Sequence, residues 1–159
     1  MQTIIYPGTF DPIHNGHIDL IQRASNFGDA EVVVAVSDSK NKQPLFSLNK
    51  RIELCEQSLS HLKNIRVCAF NGLIIDFVKS QNSHIVLRGL RTASDFDYEL
   101  QMTNMNRDMS PQFETIFLTP NKSLSSISSS LIREISGMGG DVEQFVPANV
   151  LAALHSKHG

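Results

Sequence analysis

The segment TIIYPGTFDPIHNGHI, residues 3–18, decides the fold, because it joins a buried strand to a helix through one short loop. Residues 3–6 are apolar and rich in β-formers, and the turn dipeptides DP and NG follow them. The pattern predicts a strand, a tight loop and a helix that begins near Gly16. The first N–H groups of such a helix are unpaired and partly positive, so the loop can hold a phosphate there.

Four residues of this loop have the chemistry of an active site. Gly8 allows a close backbone approach, Thr9 offers a hydroxyl, and His14 and His17 are three residues apart, so they share one side of the helix mouth. Exposure to solvent is the simpler interpretation of such a histidine pair. A metal site is a further alternative, but the other histidines are scattered and no third ligand stands at motif spacing. The whole loop favours a phosphate site.

Composition restricts the class of protein. The 159 residues fit one domain, residues 1–159, with 41% hydrophobic residues and a net charge of −2. This charge argues against broad binding to nucleic acid or to an anionic membrane. We expect a soluble, cytoplasmic protein, because we find no signal peptide and no membrane-length apolar run, and Cys55 and Cys68 lie in core-like patterns as reduced thiols.

Apolar runs alternate with helical patterns along the whole chain. After the first strand, further strands are predicted at residues 31–36, 65–70, 85–87 and 115–118. Run 31–36, EVVVAV, is typical of a strand that is covered on both faces of a parallel sheet. Five strands alternating with helices predict an α/β fold, a single-domain, doubly wound five-stranded parallel sheet with a C-terminal helix in residues 141–154. Neither G-x-G-x-x-G nor the P-loop motif occurs, which argues against a dehydrogenase or a P-loop kinase.

The helical stretches carry the expected apolar faces. The first helix has its apolar side at Ile18, Leu20, Ile21, Ala24 and Phe27, and the second begins behind a Ser47 N-cap. Leu73 and Ile74 follow the third strand, and core packing is the simplest interpretation for both.

Charged and polar loops follow the predicted strands, at the sheet edge where open α/β sheets bind ligands. Lys40 and Lys42 lie in the loop after the second strand, and the segment Arg88-Gly89-Leu90-Arg91 follows the fourth. Taken one at a time, these lysines and arginines could simply be solvated or form surface salt bridges. Arginines on either side of a glycine can also clamp phosphates through bidentate hydrogen bonds.

Two later segments complete the pattern. Ser94 with Asp97 predicts a capping box for a helix over 95–106, whose stripe of Tyr98, Met102, Met105 and Met109 we interpret as core or subunit contact. Farther on, Ile127-Ser128-Ser129-Ser130 runs into a helix predicted over 131–135. Its hydroxyls and free N–H groups would form a second anion site at a helix N-terminus, although a serine-rich flexible loop is the alternative.

Four motifs, GTFDPIHNGH, RGLR, DFDYE and ISSS, together resemble the phosphopantetheine adenylyltransferase family of the T/HxGH nucleotidyltransferase superfamily, over essentially the full length. The resemblance implies strand order 3-2-1-4-5 and transfer of AMP from ATP to 4′-phosphopantetheine, giving dephospho-coenzyme A and pyrophosphate without a covalent enzyme intermediate. It also implies Mg²⁺ with the ATP but no protein metal site, dephospho-coenzyme A or coenzyme A as product or inhibitor, and a homohexamer.

The same resemblance implies roles for individual residues. His17 would contact the α-phosphate in the transition state, and Thr9 would bridge donor and acceptor. The acceptor-binding residues would be Thr9, Lys42, Ile74 and Arg88. The ATP-binding residues would be Thr9, Phe10, His17, Gly89, Leu90, Arg91, Glu99, Leu124, Ser125, Ser126, Ile127, Ser128, Ser129 and Ser130. Related sequences often have an aromatic residue at position 124 and a threonine at position 130, where this chain has leucine and serine.

Some alternatives stay open on the sequence. Glu99 either acts at the nucleotide or orients Arg91, and both Glu99 and Asp95 are expected to face one cleft. The charge of His17 is undecided, because a helix N-terminus disfavours the imidazolium whereas phosphates favour it. A nucleotidyltransferase for CTP or another acceptor, and a nucleotide-binding module without turnover, are the rival functions.

Overall fold

The structure, a computed structural model, describes residues 1–38 and 43–159. Its elements in those residues are five strands, six α-helices and two short 3₁₀ helices. The strands are β1 (Gln2–Gly8), β2 (Ala30–Ser37), β3 (Ile65–Phe70), β4 (Ile85–Gly89) and β5 (Glu114–Leu118). The α-helices are α1 (Asn15–Ala24), α2 (Leu48–Ser58), α3 (Ile74–Ser80), α4 (Ala93–Met109), α5 (Ser129–Gly137) and α6 (Ala148–His158). The 3₁₀ helices are Lys122–Leu124 and Glu143–Phe145.

All five strands are parallel and their order is β3-β2-β1-β4-β5, which confirms the predicted fold. β1 lies in the middle, where Ile4 pairs with Val32 of β2 and with Ile85 of β4. The chain order reverses on either side of β1, and this is the point where ligands bind in doubly wound sheets. The loops after β1 and β4 therefore meet at one edge of the sheet.

The sheet is covered on both faces, as its continuous apolar strands require. Ile4 and Tyr6 of β1 point into the larger core, which also contains residues of α1, α2, α5 and α6. Ile5 points into the smaller core, where Ile75 and Val78 of α3 cover it. The alternation within β1 is the period of two that a pleated strand imposes.

Helix α4 differs from the prediction in both its start and its burial. It begins at Ala93, because Thr92 is the N-cap and Asp95 completes the capping box, so the predicted Ser94 and Asp97 pair is wrong. Of the two interpretations of its apolar stripe, core packing is wrong, because the exposed fractions are 62% for Tyr98, 39% for Met102, 64% for Met105 and 51% for Met109. Subunit contact stays a prediction. Only Glu99 and Thr103 of this helix are buried.

Three smaller corrections concern the ends of elements. α1 ends at Ala24, so Phe27 lies beyond it and is exposed. Leu73 is the residue before α3 and is exposed rather than buried in the core. α5 begins at Ser129, two residues earlier than predicted, because Ser128 caps it. In the parts of the chain that the structure describes, none of the helices combines the length and the apolar character that crossing a bilayer needs.

Candidate active site

A cleft of about 320 Å³ opens at the carboxyl edge of the sheet, above β1 and β4. Its walls are formed by β1 and the loop after it, by α1, by the end of β4 and by the segment from the end of β5 to the start of α5. The predicted site residues among those lining it are Phe10, His17, Arg88, Gly89, Arg91, Leu124, Ile127, Ser128, Ser129 and Ser130. Residues from the two ends of the sequence thus converge on one space, as the edge position of their loops predicts.

His14 and His17 form the mouth of α1 as a capping box built from two histidines. Nδ1 of His14 accepts the N–H groups of Gly16, at 3.0 Å, and of His17, at 3.3 Å. In return, Nδ1 of His17 accepts the N–H of His14 at 3.1 Å, and the two rings stack with centroids 3.7 Å apart. A serine and a glutamate would usually fill these two positions.

These hydrogen bonds favour the neutral form of both rings. Because Nδ1 of each ring is an acceptor, a proton on that nitrogen would break the cap, and the neutral ring carries its proton on Nε2. Burial, followed by the charge of Arg91, lowers the pKa of His14 to about 3. Burial, then His14 and Arg91, also lowers the pKa of His17 well below its usual value. His17 is therefore a neutral donor whose Nε2–H is not used by the cap.

Arg88 is held by Glu99 at the end of β4. Nε and one terminal nitrogen of Arg88 donate to the two carboxylate oxygens of Glu99, at 2.8 and 2.7 Å, and the other terminal nitrogen donates to the carbonyl of Pro7 at 3.3 Å. Burial alone would lower the pKa of Arg88, but the hydrogen bond and charge of Glu99 raise it on balance. The expectation that Glu99 orients Arg91 is wrong, since its partner is Arg88.

Arg91 has a different support. Its backbone N–H donates to Asp95 at 3.0 Å, its Nε lies 3.9 Å from the same carboxylate, and a terminal nitrogen donates to the carbonyl of Ile127 at 3.2 Å. Asp95 and Glu99 do not line the cleft, so the expectation that both acids face it is wrong as well. Each acid instead fixes one arginine of the RGLR segment, and the guanidinium groups face the cavity.

The serine segment has three different hydroxyl environments. Ser128 accepts the N–H of Leu131 at 3.1 Å and so caps α5. Ser129 donates its hydroxyl to the carbonyl of Pro12 at 2.8 Å, which joins α5 to the loop after β1. Ser130 is exposed, and its oxygen accepts one bond from Arg133 at 3.3 Å, so its hydroxyl proton is still available. The first N–H groups of α5 have no partner within the helix.

A second cavity, of about 220 Å³, adjoins the cleft and shares Ser129 and Ser130 with it. Thr9 lies here rather than in the main cleft, together with Arg133 and the segment Gln43-Pro44. Arg133 donates to the carbonyl of Asp11 at 2.7 Å. The predicted ligand Lys42 and its neighbour Lys40 lie outside the described residues, just before this segment.

Among the described residues, five predicted site residues line neither cavity: Ile74, Leu90, Glu99, Ser125 and Ser126. Ile74 packs beside the smaller core. Leu90 uses its N–H to bond the carbonyl of Leu118 at 2.9 Å, and Ser125 bonds the carbonyl of Lys122 at 2.9 Å. Leu90, Ser125 and Ser126 are next in sequence to lining residues, whereas Ile74 is not. The roles of these residues at a ligand stay predictions.

Sequence reasoning missed several lining residues that have no motif signal of their own. Tyr6, Leu20 and Pro120 are among them. Leu20 packs closely on one glycine of the site: a Cβ at Gly89 would lie only 2.7 Å from Leu20 Cδ1, so a larger residue there would displace the side chain of Leu20. Only the packing of α1 against the sheet reveals this contact.

A metal site within the protein is not formed by the described residues. Over residues 1–38 and 43–159, groups of three or more His, Cys, Asp or Glu side chains with metal-binding geometry do not occur. His14 and His17 use their Nδ1 atoms as hydrogen-bond acceptors in the helix cap instead.

A parallel sheet in this order, with histidine, arginine and serine donors at its switch point, defines a nucleotidyltransferase. The family model described as cytidylyltransferase-like matches residues 5–135. The phosphopantetheine adenylyltransferases of Legionella pneumophila strains Lens and Philadelphia 1 are each 53% identical over 156 residues, covering 98% of this chain and 91% of theirs. That of strain Paris is also 53% identical, covering 98% and 92%. The chain belongs to the phosphopantetheine adenylyltransferase family, an enzyme family within the cytidylyltransferase-like class.

Proposed function

We propose that this protein transfers AMP from ATP to 4′-phosphopantetheine, giving dephospho-coenzyme A and pyrophosphate, as a step of coenzyme A biosynthesis. The observation that supports this best is the neutral His17, whose Nε2–H is unused beside two arginines and the start of α5 in one cleft. Membership of the phosphopantetheine adenylyltransferase family supplies the two substrates.

The reaction needs donors rather than a general base, because a phosphate nucleophile is already anionic near neutral pH. An acceptor phosphate oxygen attacks the α-phosphorus of ATP, and the bond to the bridging oxygen of pyrophosphate breaks in line with it. Negative charge grows on the α-phosphate oxygens and on the leaving group. No covalent enzyme intermediate is required.

Each group of donors has a place in this scheme. His17 donates from Nε2 to the α-phosphate. Arg91, Ser130 and the free N–H groups of α5 hold the β- and γ-phosphates. Arg88, positioned by Glu99, binds the acceptor phosphate together with Lys42, while Thr9 stands in the adjoining cavity that the acceptor enters.

Mg²⁺ enters with ATP in this proposal. It would neutralise phosphate charge and be held by phosphate oxygens and water, which agrees with the donor-rich, acid-poor lining of the cleft. Dephospho-coenzyme A contains the AMP group from ATP and the 4′-phosphopantetheine group, so it would occupy both cavities. Inhibition by this product, and by coenzyme A, therefore belongs to the same proposal.

Assembly into a homohexamer is a further part of the proposal, and the reaction is assigned to the cytoplasm. The exposed apolar side chains of α4 provide the surface: Tyr98, Met105 and Met109 are each more than half exposed. Contiguous exposed apolar surface of this kind is unusual on a monomer. Light scattering at micromolar concentration should give a mass about six times the 17.7 kDa of the chain, and a monomer would contradict this claim.

Pyrophosphate release tests the activity. Purified protein with Mg²⁺ should release pyrophosphate from ATP when 4′-phosphopantetheine is present, and much less with CTP or with pantetheine that lacks the phosphate. Preference for CTP or for another acceptor would identify a different nucleotidyltransferase. ATP binding by calorimetry without any pyrophosphate release would instead support a binding module.

A further inference from the structure

We propose that Asp19 is a positioning residue for the nucleotide, because it clamps the loop after β5 onto the helix that carries His17. The inference rests on the proposed function, in which ATP occupies the cleft between these two elements. Asp19 does not line the cleft itself, so it would act through the elements that it joins.

The clamp is a set of hydrogen bonds between residues 102 positions apart in sequence. One carboxylate oxygen of Asp19 accepts the side-chain amide of Asn121 at 3.0 Å, and the other accepts the backbone N–H of Asn121 at 3.1 Å. The second oxygen also accepts from Arg23 at 2.9 Å, and Arg23 donates in turn to the carbonyl of Thr119. An ionised carboxylate is the only side chain of this size that accepts all three bonds at once.

The charge of the clamp is shielded from water. The side chain of Asp19 is 13% exposed, while that of Arg23 is 39% exposed. The Nε of Arg23 is buried without a hydrogen-bond partner in the described part of the chain, so Arg23 joins the clamp through one terminal nitrogen. Hydrogen bonds to a charged, sheltered acceptor are stronger than bonds between neutral surface groups. Because Asp19 accepts from both Asn121 and Arg23, the attachment of the loop depends on this carboxylate.

The two elements that the clamp joins are adjoining walls of the cleft. Pro120 and Leu124 line it from the loop, on either side of Asn121, whereas Gly16 and His17 line it from the start of α1. The two walls are in close proximity: a Cβ atom added at Gly16 would lie 3.8 Å from the carbonyl oxygen of Leu124. Without Asp19, the loop wall is free to move away from the His17 wall, which widens the space for the nucleotide.

The expected signature is a loss of ATP affinity with little loss of turnover at saturation. Asp19→Asn keeps the size of the side chain but loses one acceptor and the charge. We expect it to raise the dissociation constant and KM for ATP about tenfold, a loss comparable to one or two hydrogen bonds. The KM for 4′-phosphopantetheine and the kcat at saturating ATP should stay within about threefold, because Arg88 and His17 keep their own supports.

Glu31→Gln is the matched control. Glu31 accepts from Arg66 at 2.9 Å and joins β2 to β3 in a part of the sheet that does not line the cleft. Its substitution removes a carboxylate ion pair of similar exposure and should leave both KM values unchanged, even if the melting temperature falls. Comparing the two variants separates an effect on the cleft from a general loss of stability.

A double-mutant cycle tests the assignment to Asn121. Asn121→Ala should also weaken ATP binding, and the pair Asp19→Asn/Asn121→Ala should bind ATP no more weakly than the worse single variant, since both act through the same bonds. Equal losses for ATP and acceptor, a fall in kcat alone, or additive losses in the cycle would overturn the proposal. Calorimetry with ATP needs no acceptor, so a protein that binds ATP without releasing pyrophosphate would contradict the proposed function and leave the clamp intact.

Discussion

Arg88 and Glu99 form a bidentate ion pair, with nitrogen to oxygen distances of 2.7 and 2.8 Å, between the end of β4 and the second turn of α4. A third nitrogen of Arg88 donates to the carbonyl of Pro7. A guanidinium has five N–H groups, so two of them are left for a ligand. The plane of the group is fixed before a phosphate arrives, which reduces the entropy that binding loses.

This pairing leads to a prediction for Glu99. Glu99→Gln keeps the shape of the side chain but removes the charge that holds Arg88, so the KM for 4′-phosphopantetheine should rise about tenfold while ATP affinity changes much less. Asp97→Asn, an exposed acid on the same helix, is the control and should behave as the unaltered protein. A larger loss for ATP would instead place Glu99 at the nucleotide, the role that the family resemblance implies.

The histidine cap predicts a pH dependence of stability. The pKa of His14 is about 3 in the folded protein and near 6.5 when unfolded, so the unfolded state binds more protons between these values. The contribution of His14 to the free energy of unfolding is therefore fully present above pH 6.5. It falls as the pH is lowered, by about 2 kcal/mol between pH 7 and pH 5. Urea unfolding at several pH values measures this loss.

His14→Asn is the matched variant, because asparagine is a good N-cap that does not titrate. Its stability should fall less steeply with pH than that of the unaltered protein, and the difference in slope isolates His14 from the carboxylates. Identical slopes in the two proteins would show that His14 is not the titrating group.

The sequence predicted the fold well because its strongest signals are local. The turn dipeptides after β1 and the continuous apolar run in β2 determine a strand-loop-helix unit and a covered parallel sheet, whatever the rest of the chain does. The edge loops then follow from the topology. For this reason the sequence alone predicts that His17, Arg91 and the serine segment lie in one cleft.

What sequence missed depends on tertiary packing. Thr92 with Asp95 and Ser94 with Asp97 are equivalent capping signals, and burying Glu99 against Arg88 is consistent with the first of them. Arg88 and Glu99 are eleven residues apart in sequence, and this spacing does not reveal their contact. The bond from Asp19 to a residue 102 positions away has no local pattern at all. The stripe of α4 leaves core packing and subunit contact as alternatives, because a sequence pattern shows an apolar stripe but not what covers it.

The serine segment provides a prediction that separates two neighbouring hydroxyls. Ser130→Ala removes a hydroxyl proton that is free for a phosphate, so ATP affinity should fall on the order of fivefold, the loss of about 1 kcal/mol. Ser129→Ala removes the bond to the carbonyl of Pro12 instead. It should lower the melting temperature more than Ser130→Ala does, and lower the ATP affinity less. Calorimetry and thermal unfolding of both variants check this, and the reverse order of effects would contradict it.

The last prediction concerns His17, whose Nδ1 closes the cap and whose Nε2 donates to the reacting phosphate. His17→Ala should leave ATP binding almost intact and lower kcat by roughly 10²- to 10³-fold, the usual loss for one transition-state donor. It also leaves the N–H of His14 without its acceptor, so the variant should be about 1 kcal/mol less stable.

His17→Asn separates these two losses. The amide oxygen of asparagine lies close to the former position of Nδ1 and can accept the N–H of His14, but nothing replaces Nε2. We expect stability close to that of the unaltered protein together with a kcat as low as that of His17→Ala. Single-turnover experiments with saturating ATP measure the chemical step directly. If His17→Asn turned over normally, His17 would act only in the cap. If it bound ATP poorly without a change in kcat, His17 would act in ground-state binding. Loss of a donor to the transition state would instead lower the rate of the chemical step.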